Sequence, residues 1–264
     1  RRYDTTSDEN LIDVATSTLR AMARGGVYDQ LAGGFHRYSV DARWVVPHFE
    51  KMLYDNAGLL RNYVWYAAMT GDKDAAEMVR NIVSYVDGIL SDRSAGGFYS
   101  SQDADITLED DGDYWTWTVE EAATALGEDE FRVMQRRYDI YERGEMEENH
   151  EKNVLFIAQS EEDIAAELDM PLADVERLLD SGRRRLLEAR TQRDAPYVDT
   201  TIFVNWNAMM VVAYLDAARL LGMVECREFA LATLDRLLET GRHPDGGMRH
   251  VLSESGDVPP TLDD

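Results

Sequence analysis

The stretch from Gly33 to Asn56, GGFHRYSVDARWVVPHFEKMLYDN, gathers acids, bases and aromatic rings around Pro47. His36 and His48 can each take or give a proton near neutral pH. Glu50 and Asp55 can accept or hold one, and Arg37 and Lys51 can fix an anionic or polarised oxygen. If a helix starts near Pro47, then His48, Lys51 and Asp55 share one stripe and Glu50 and Tyr54 another. Any one of these residues alone reads as a surface charge or a satisfied core histidine. Their density, with Tyr38 beside them, points to a pocket.

A second stretch, Phe98 to Asp105, sets Asp103 and Asp105 two residues apart after a glycine pair, and Tyr114-Trp115-Thr116-Trp117-Thr118 follows. Paired carboxylates beside aromatic faces suit carbohydrate chemistry: one acid protonates a leaving oxygen, a second stands opposite, and a flat ring receives the C–H face of a sugar. Equally, either aspartate could cap the next element and the tryptophans could be core. Asn205-Trp206-Asn207 opens a later helix, where Trp206 and Asn207 are substrate-binding candidates and Asn205 reads as an N-cap.

Other chemistries lack their patterns. His36 with His48-x-Glu50 does not make a His-Glu-x-x-His zinc motif, so no metal is expected. No Gly-x-Gly-x-x-Gly loop, Gly-Lys-Ser/Thr loop or serine elbow occurs, and no cofactor is expected.

Helices must carry these residues. Leu11, Val14, Ala15, Thr18, Leu19 and Met22 recur at helical spacing until Gly25-Gly26, and Leu59 to Ala67 repeats the pattern until Gly71. Ala75 to Leu90, Val119 to Leu126, Asp129 to Tyr138, Ile164 to Leu168, Leu172 to Arg190, Asn207 to Leu221 and Cys226 to Leu238 continue it, with no β-alternation longer than a hairpin. The class is all-α. A helix followed by a Gly-Gly-apolar turn recurs at Gly25-Gly26, Gly96-Gly97 and Gly246-Gly247, which suggests a ring of helix hairpins with polar loops at one end. Ordinary helix capping would explain the same glycines. The acidic stretch Thr107 to Asp113 and the polar stretch Tyr141 to Asn153 read as loops, and residues 1–264 read as a single domain.

GGVYDQLAGGFHRYSVDARWVVPHFEKMLYDNA, GGFYSSQDAD, DYWTWT, Arg190-x-x-Arg193-x-x-Pro196-x-x-Asp199 and Trp206-Asn207 closely resemble the helical portion of the thioredoxin-domain-containing protein family that includes spermatogenesis-associated protein 20. The likeness runs from about Met22 to the last residue. It implies an (α/α)6 barrel, a six-hairpin toroid similar to N-acylglucosamine 2-epimerases, incomplete in this chain. It also implies that the family's N-terminal thioredoxin-like domain and the first part of the barrel are missing. An incomplete ring implies self-association, or closure of exposed helix faces by other segments. Thr201 stands where family members generally carry lysine, Thr200 replaces a second acid, and Ala208 replaces a glycine.

Two functions follow from these residues. One is a carbohydrate-active enzyme working by acid/base chemistry on a sugar-like small molecule. As an epimerase, His36 and His48 would shuttle the proton, Arg37 would hold the carbonyl oxygen and Glu50 would orient a histidine. As a hydrolase, Asp103 or Asp105 would be the acid and Glu50 its partner, with Trp115 and Trp206 as platforms and Tyr38, Lys51, Tyr54, Asp55 and Asn207 lining the substrate. Carboxyl separations of about 5–5.5 Å suit retention, and about 6.5–9.5 Å inversion. The other function is a non-catalytic module that partners a thioredoxin-like domain.

Composition bounds the setting. A net charge of −24 over 264 residues, with 44% hydrophobic residues, is globular but strongly acidic, so nucleic acid and anionic membranes are poor partners. Cys226 is the single cysteine, which excludes an internal disulfide and a Cys-x-x-Cys pair and suits a reducing, cytoplasmic setting. No apolar run reaches the ~20 residues that span a bilayer, and the opening Arg1-Arg2-Tyr3-Asp4 has no apolar signal core. Only Lys51, Lys73 and Lys152 are lysines. An acid-rich, lysine-poor surface suits molar salt, where charges are screened beyond about 3 Å, and reads as halophilic. Arginine codons of a GC-rich genome would give a similar balance. The halophilic reading predicts unfolding in low salt and recovery in molar KCl, followed by circular dichroism. Equal stability in both would remove it.

Overall fold

A computed structural model describes residues 9–107, 110, 112–243 and 246–252. The opening Arg1-Arg2-Tyr3-Asp4 and the closing Leu262-Asp263-Asp264 lie outside the described residues, as does part of the acidic stretch after Thr107. In chain order the elements are α1 (Glu9–Arg24), β1 (Tyr38–Ser39), β2 (Pro47–His48), β3 (Lys51–Met52), α2 (Leu53–Thr70), α3 (Lys73–Ile89), β4 (Ser101–Gln102), α4 (Val119–Ala125), α5 (Glu128–Tyr138), α6 (Glu161–Leu168), α7 (Leu172–Arg190), β5 (Val198–Asp199), α8 (Val204–Leu221) and α9 (Val224–Thr240). The all-α expectation holds, since every strand among the described residues is two residues long.

The helix does not start near Pro47. Pro47-His48 pairs with Tyr38-Ser39, Lys51-Met52 enters a second small sheet, and the helix begins only at Leu53. His48, Lys51 and Asp55 therefore do not share a helical stripe. Periodicity was visible only from Leu59 onward, and six residues of mixed chemistry cannot distinguish a helical turn from two short strands.

The chain forms two compact units. Unit 1 comprises residues 1–32, 36–49 and 104–196, and unit 2 comprises 33–35, 50–103 and 197–264. In unit 2, α2 and α3 form one antiparallel hairpin and α8 and α9 another, which are the helix pairs that a hairpin ring calls for. Gly71 and Gly222 close the leading helices in left-handed conformation (φ 69° and 74°), and Asp72 caps α3 by accepting the Ala75 N–H at 3.0 Å. The α3 helix buries Ala75, Val79, Ile82, Val83 and Val86 along one stripe. Asp216 of α8 takes Arg61 Nε and Trp65 Nε1 of α2, both at 2.9 Å, which pins the two helices side by side.

The first member of the expected glycine repeat does not share the conformation of the others. Gly33-Gly34, Gly96-Gly97 and Gly246-Gly247 all adopt positive φ, whereas Gly25-Gly26 do not. A Cβ on Gly25 or Gly26 would instead lie 2.2 Å from the Trp44 or Val45 carbonyl oxygen, so those glycines serve a close chain approach. After two of the left-handed pairs comes a buried phenylalanine whose backbone is held by an asparagine, the fourth residue of α2 in one case and of α8 in the other. Asn56 Oδ1 accepts the Phe35 N–H (2.8 Å) and its Nδ2 donates to the Phe35 and Met52 carbonyls (both 3.0 Å). Asn207 does the same for Phe98 (2.7 and 3.0 Å) and for the Phe203 carbonyl (2.8 Å).

Unit 1 has its own core, in which Trp117, Val133, Met134, Ile140, Ile164, Val175 and Leu186 from the α4–α7 region pack together. Asn153 clamps this loop region, accepting the Tyr141 N–H and donating to the Trp117 and Tyr141 carbonyls at 2.9–3.0 Å. Arg193, beyond α7, donates one Nη to the carbonyls of Asp113, Tyr114 and Thr116 at 2.7, 3.1 and 2.8 Å and lies over the Trp117 ring at 4.0 Å. A buried donor and acceptor lose their partner together in Asn207→Ala, so a cost of about 2–4 kcal/mol is expected in urea unfolding. A loss below about 0.5 kcal/mol would show that the clamp does not hold the turn.

Candidate functional site

Unit 2 carries a three-stranded antiparallel sheet in the order β3-β4-β5. Lys51 pairs with Gln102 and Gln102 with Val198. In the next row Met52 pairs with Ser101 and Ser101 with Asp199. Continuing the register outward sets Glu50 opposite Asp103, and the Asp103 N–H donates to the Tyr197 carbonyl at 2.8 Å. Alternation sends successive side chains to opposite faces. One face is buried: Gln102 Oε1 accepts from the Tyr85 hydroxyl at 3.2 Å, and Lys51 lies over the Tyr85 ring at 4.1 Å and donates to the Gly33 carbonyl at 2.8 Å. The other face receives Glu50, Asp103, Tyr197 and Asp199.

Directly opposed antiparallel residues have Cβ atoms about 4.5–5.5 Å apart, so Glu50 and Asp103 are close like charges. The consequence appears at Asp103, where burial, then Glu50, then Asp199 all push its carboxyl above the usual aspartate range. Burial works in the same direction on Asp199, yet hydrogen bonds overcome it and hold that carboxyl low. Its Oδ1 accepts from Thr201 Oγ1 at 2.7 Å and from the Thr201 N–H at 2.9 Å. One carboxyl that resists ionisation beside another that favours it is the electrostatic pattern of an acid/base pair.

The other unit 2 candidates divide by burial. Tyr54 and Trp206 meet edge to face at 4.9 Å, and both remain partly exposed. Tyr197 is 66% exposed. Asp55 is partly buried on the first turn of α2. Lys51 and Asn207 are fully buried, and their polar atoms hold the backbone of Gly33 and Phe98.

Unit 1 holds the remaining candidates. His36 is 3% exposed, and its Nδ1 lies 2.7 Å from the Phe49 carbonyl oxygen, an acceptor only, so Nδ1 carries the proton and donates. The imidazole meets Trp115 and Phe49 edge to face at 4.9 and 5.3 Å, and Trp115 Nε1 donates to the Ala104 carbonyl at 2.8 Å. A small cavity with room for about one water lies among Tyr28, Asp29, His36, Phe49, Trp115 and Arg190. A backbone carbonyl thus holds Nδ1 of His36. His48 stacks on the exposed Tyr38 ring at 5.1 Å across the β1–β2 pair, and Arg37 is exposed. Asp105 Oδ1 accepts the Gly112 N–H at 3.1 Å and so braces the acidic loop. Among the described residues no three His, Cys, Asp or Glu side chains converge to hold a metal ion.

Four residues emerge that composition and spacing did not single out: Asp199 and Tyr197 on the acidic face, and Asp29 and Arg190 beside His36. Asp199 and Arg190 stand inside the Arg-x-x-Arg-x-x-Pro-x-x-Asp segment. Asp29 and Tyr197 carry no local signal, because their relevance comes from strand register and a long-range ion pair.

No family model matches the sequence. The human protein named spermatogenesis-associated protein 20 is 36% identical over 230 residues, which cover 79% of this chain and 29% of that protein. The mouse protein of the same name is 36% identical over 231 residues, covering 80% of this chain and 29% of that protein. Among solved structures, cellobiose 2-epimerase from Spirochaeta thermophila aligns with a TM-score of 0.35 at 16% identity, covering 98% of this chain and 76% of the other. A family 76 glycoside hydrolase from a bovine Bacteroides thetaiotaomicron strain aligns with a TM-score of 0.37 at 10% identity, covering 97% and 49%. Scores of this size carry no argument about substrate. No helix among the described residues is long and apolar enough to cross a membrane.

One wall of the His36 cavity is tied to a carboxyl raised by burial. Val154 lines it, and the Val154 N–H donates to Glu145 Oε2 at 3.0 Å. Burial pushes the Glu145 carboxyl up to about 7, against the lowering effect of the Val154 hydrogen bond and with further help from Asp139. A carboxyl raised in the folded state keeps its proton there while the unfolded chain has lost it. The Glu145 contribution to stability should therefore be full below pH ~4.5, fall as pH rises towards about 7, and be lost above that. Glu145→Gln should flatten this limb in unfolding measured between pH 4.5 and 8. An unchanged slope would rule out Glu145 as its source.

Proposed function

Because the chain belongs to the family of spermatogenesis-associated protein 20 while spanning 29% of the length of the curated relatives it matches, we propose its function from its own residues. It is an acid/base enzyme unit acting on a sugar or sugar-like polyol at the Glu50–Asp103–Asp199 face. The observation that carries this reading is the Asp103 carboxyl, pushed up by burial and by Glu50 opposite it. Asp103 is then the proton donor to a leaving or migrating oxygen, and Glu50 is the partner carboxylate across the strand pair. Asp199, whose ionised form Thr201 favours, adds to the negative field that raises the Asp103 carboxyl. Tyr197, with its backbone bonded to Asp103 and its ring mostly exposed, is the flat surface for a sugar's C–H face, and Trp206 with Tyr54 offers a second.

This arrangement supports the carboxylate version more than a two-histidine proton shuttle, because His36 is covered by Phe49 and Trp115 and His48 is stacked on Tyr38. The covered His36 also favours a second reading, a non-catalytic helical module in which His36, Phe49 and Trp115 serve as core.

The test uses full-length protein with a panel of aryl glycosides, reducing disaccharides and aldoses, followed by proton NMR. Turnover of at least one member is expected. Asp103→Asn should lower kcat by about 10²–10⁴-fold, while Tyr197→Ala should raise KM more than it lowers kcat. Turnover that is indifferent to Asp103→Asn, or no turnover across the panel, would set the carboxylate reading aside in favour of the module.

A further inference from the structure

The central strand, β4, sets a serine among the acids of unit 2. Pairing places Met52 opposite Ser101 and Ser101 opposite Asp199, one row along from Glu50, Asp103 and Tyr197. Alternation along β4 returns Ser101 to the face that carries Asp103, while Gln102 between them turns to the buried face. Exposure falls along the acidic face, from 66% at Tyr197 to 9% at Met52 and 7% at Ser101. The neighbouring Ser100 spends its hydroxyl on the Asp199 carbonyl at 3.0 Å, and the Thr201 hydroxyl donates to the Asp199 carboxylate at 2.7 Å. Register thus brings a neutral hydroxyl beside one carboxyl that resists ionisation and another that favours it.

We propose that Ser101 is a specificity-determining residue of this face, binding the substrate oxygen next to the one that Asp103 serves. On the acid/base reading of the face, which this role presupposes, the substrate class narrows to glycosides with a free hydroxyl on the carbon beside the bond that breaks. Residues two apart on a strand stand about 6.5–7 Å from each other on one face. Hydrogen bonds of about 2.7–2.8 Å reaching inward from two short side chains at that spacing meet oxygens on neighbouring carbons. A hydroxyl both donates and accepts, so Ser101 can follow that oxygen through the reaction without adding charge to an already acidic row. A cation in its place would favour ionised Asp103 and so weaken the proton donor. Contacts to the hydroxyl beside the reacting bond strengthen in the transition state of glycoside cleavage, which gives Ser101 a share in rate as well as in binding.

The test compares full-length protein with Ser101→Ala on nitrophenyl glycosides and on their deoxy counterparts that lack the adjacent hydroxyl, reading kcat/KM, or the inhibition constant where a counterpart only competes. A fall of about 3–10-fold is expected for the hydroxylated glycosides, the worth of one neutral hydrogen bond, with no change for the deoxy set. Ser101→Cys, close in size and a weak donor, should show the same contrast. An equal fall on both sets, or no fall on either, would overturn the role of Ser101, while loss of turnover in Asp103→Asn would leave the acid/base reading standing. Turnover of aldoses or reducing disaccharides with none of the nitrophenyl glycosides would overturn it too. No turnover of any of these compounds would set both aside.

Discussion

Backbone satisfaction at two tight turns governs how unit 2 is built. The Gly33-Gly34 and Gly96-Gly97 turns deliver Phe35 and Phe98 into the core, where an amide N–H and a carbonyl cannot reach water. Asn56 and Asn207 answer both groups from the first turns of α2 and α8. Each asparagine also bonds the carbonyl four residues before it, so the helix start and the turn become a single object. From that anchoring the strands follow. The Leu53 N–H reaches the Ser100 carbonyl, Lys51-Met52 lies along Ser101-Gln102, and the acidic residues at the strand ends come opposite one another.

The acidic face shows how one fold can set neighbouring carboxyls apart. Cross-strand register forces Glu50 and Asp103 together, a placement that costs stability wherever both are ionised. Asp103 responds by holding its proton more tightly. At Asp199, two hydrogen bonds from Thr201 outweigh the effect of burial. Thr201 is the residue that departs from the lysine expected by family resemblance, and here its hydroxyl and N–H do the work of stabilising a carboxylate without adding a charge.

Unit 1 depends on a different device. Asp29, just after α1, also accepts the N–H groups of Leu31 and Ala32 at 3.0 and 3.2 Å, so one carboxylate organises a turn and pairs with the end of α7. Buried ion pairs contribute little net stability against an apolar replacement, but they penalise wrong registers strongly. Placed between segments 161 positions apart, the pair selects one arrangement of the Tyr114–Trp115 region around His36.

How much could be read in advance depended on the range of the interactions involved. Helices such as Leu172–Arg190 and Val224–Thr240 were legible because apolar spacing, Pro171, Gly222 and Gly241 are local signals. The chemistry-bearing composition of Gly33–Asn56 and Phe98–Asp105 was legible for the same reason. The division of labour within those stretches was not. Lys51 and Asn207 have the side chains of a binding site yet spend them on backbone groups, whereas Tyr197 and Asp199 join the acidic face only through pairing with a strand about a hundred residues away. The amino-acid order determined where helices run and which residues were available for chemistry, because both follow from neighbours along the chain. Which acids stand opposite each other, and which hydroxyl shares their face, was decided by tertiary structure, because register and burial exist only after distant segments meet.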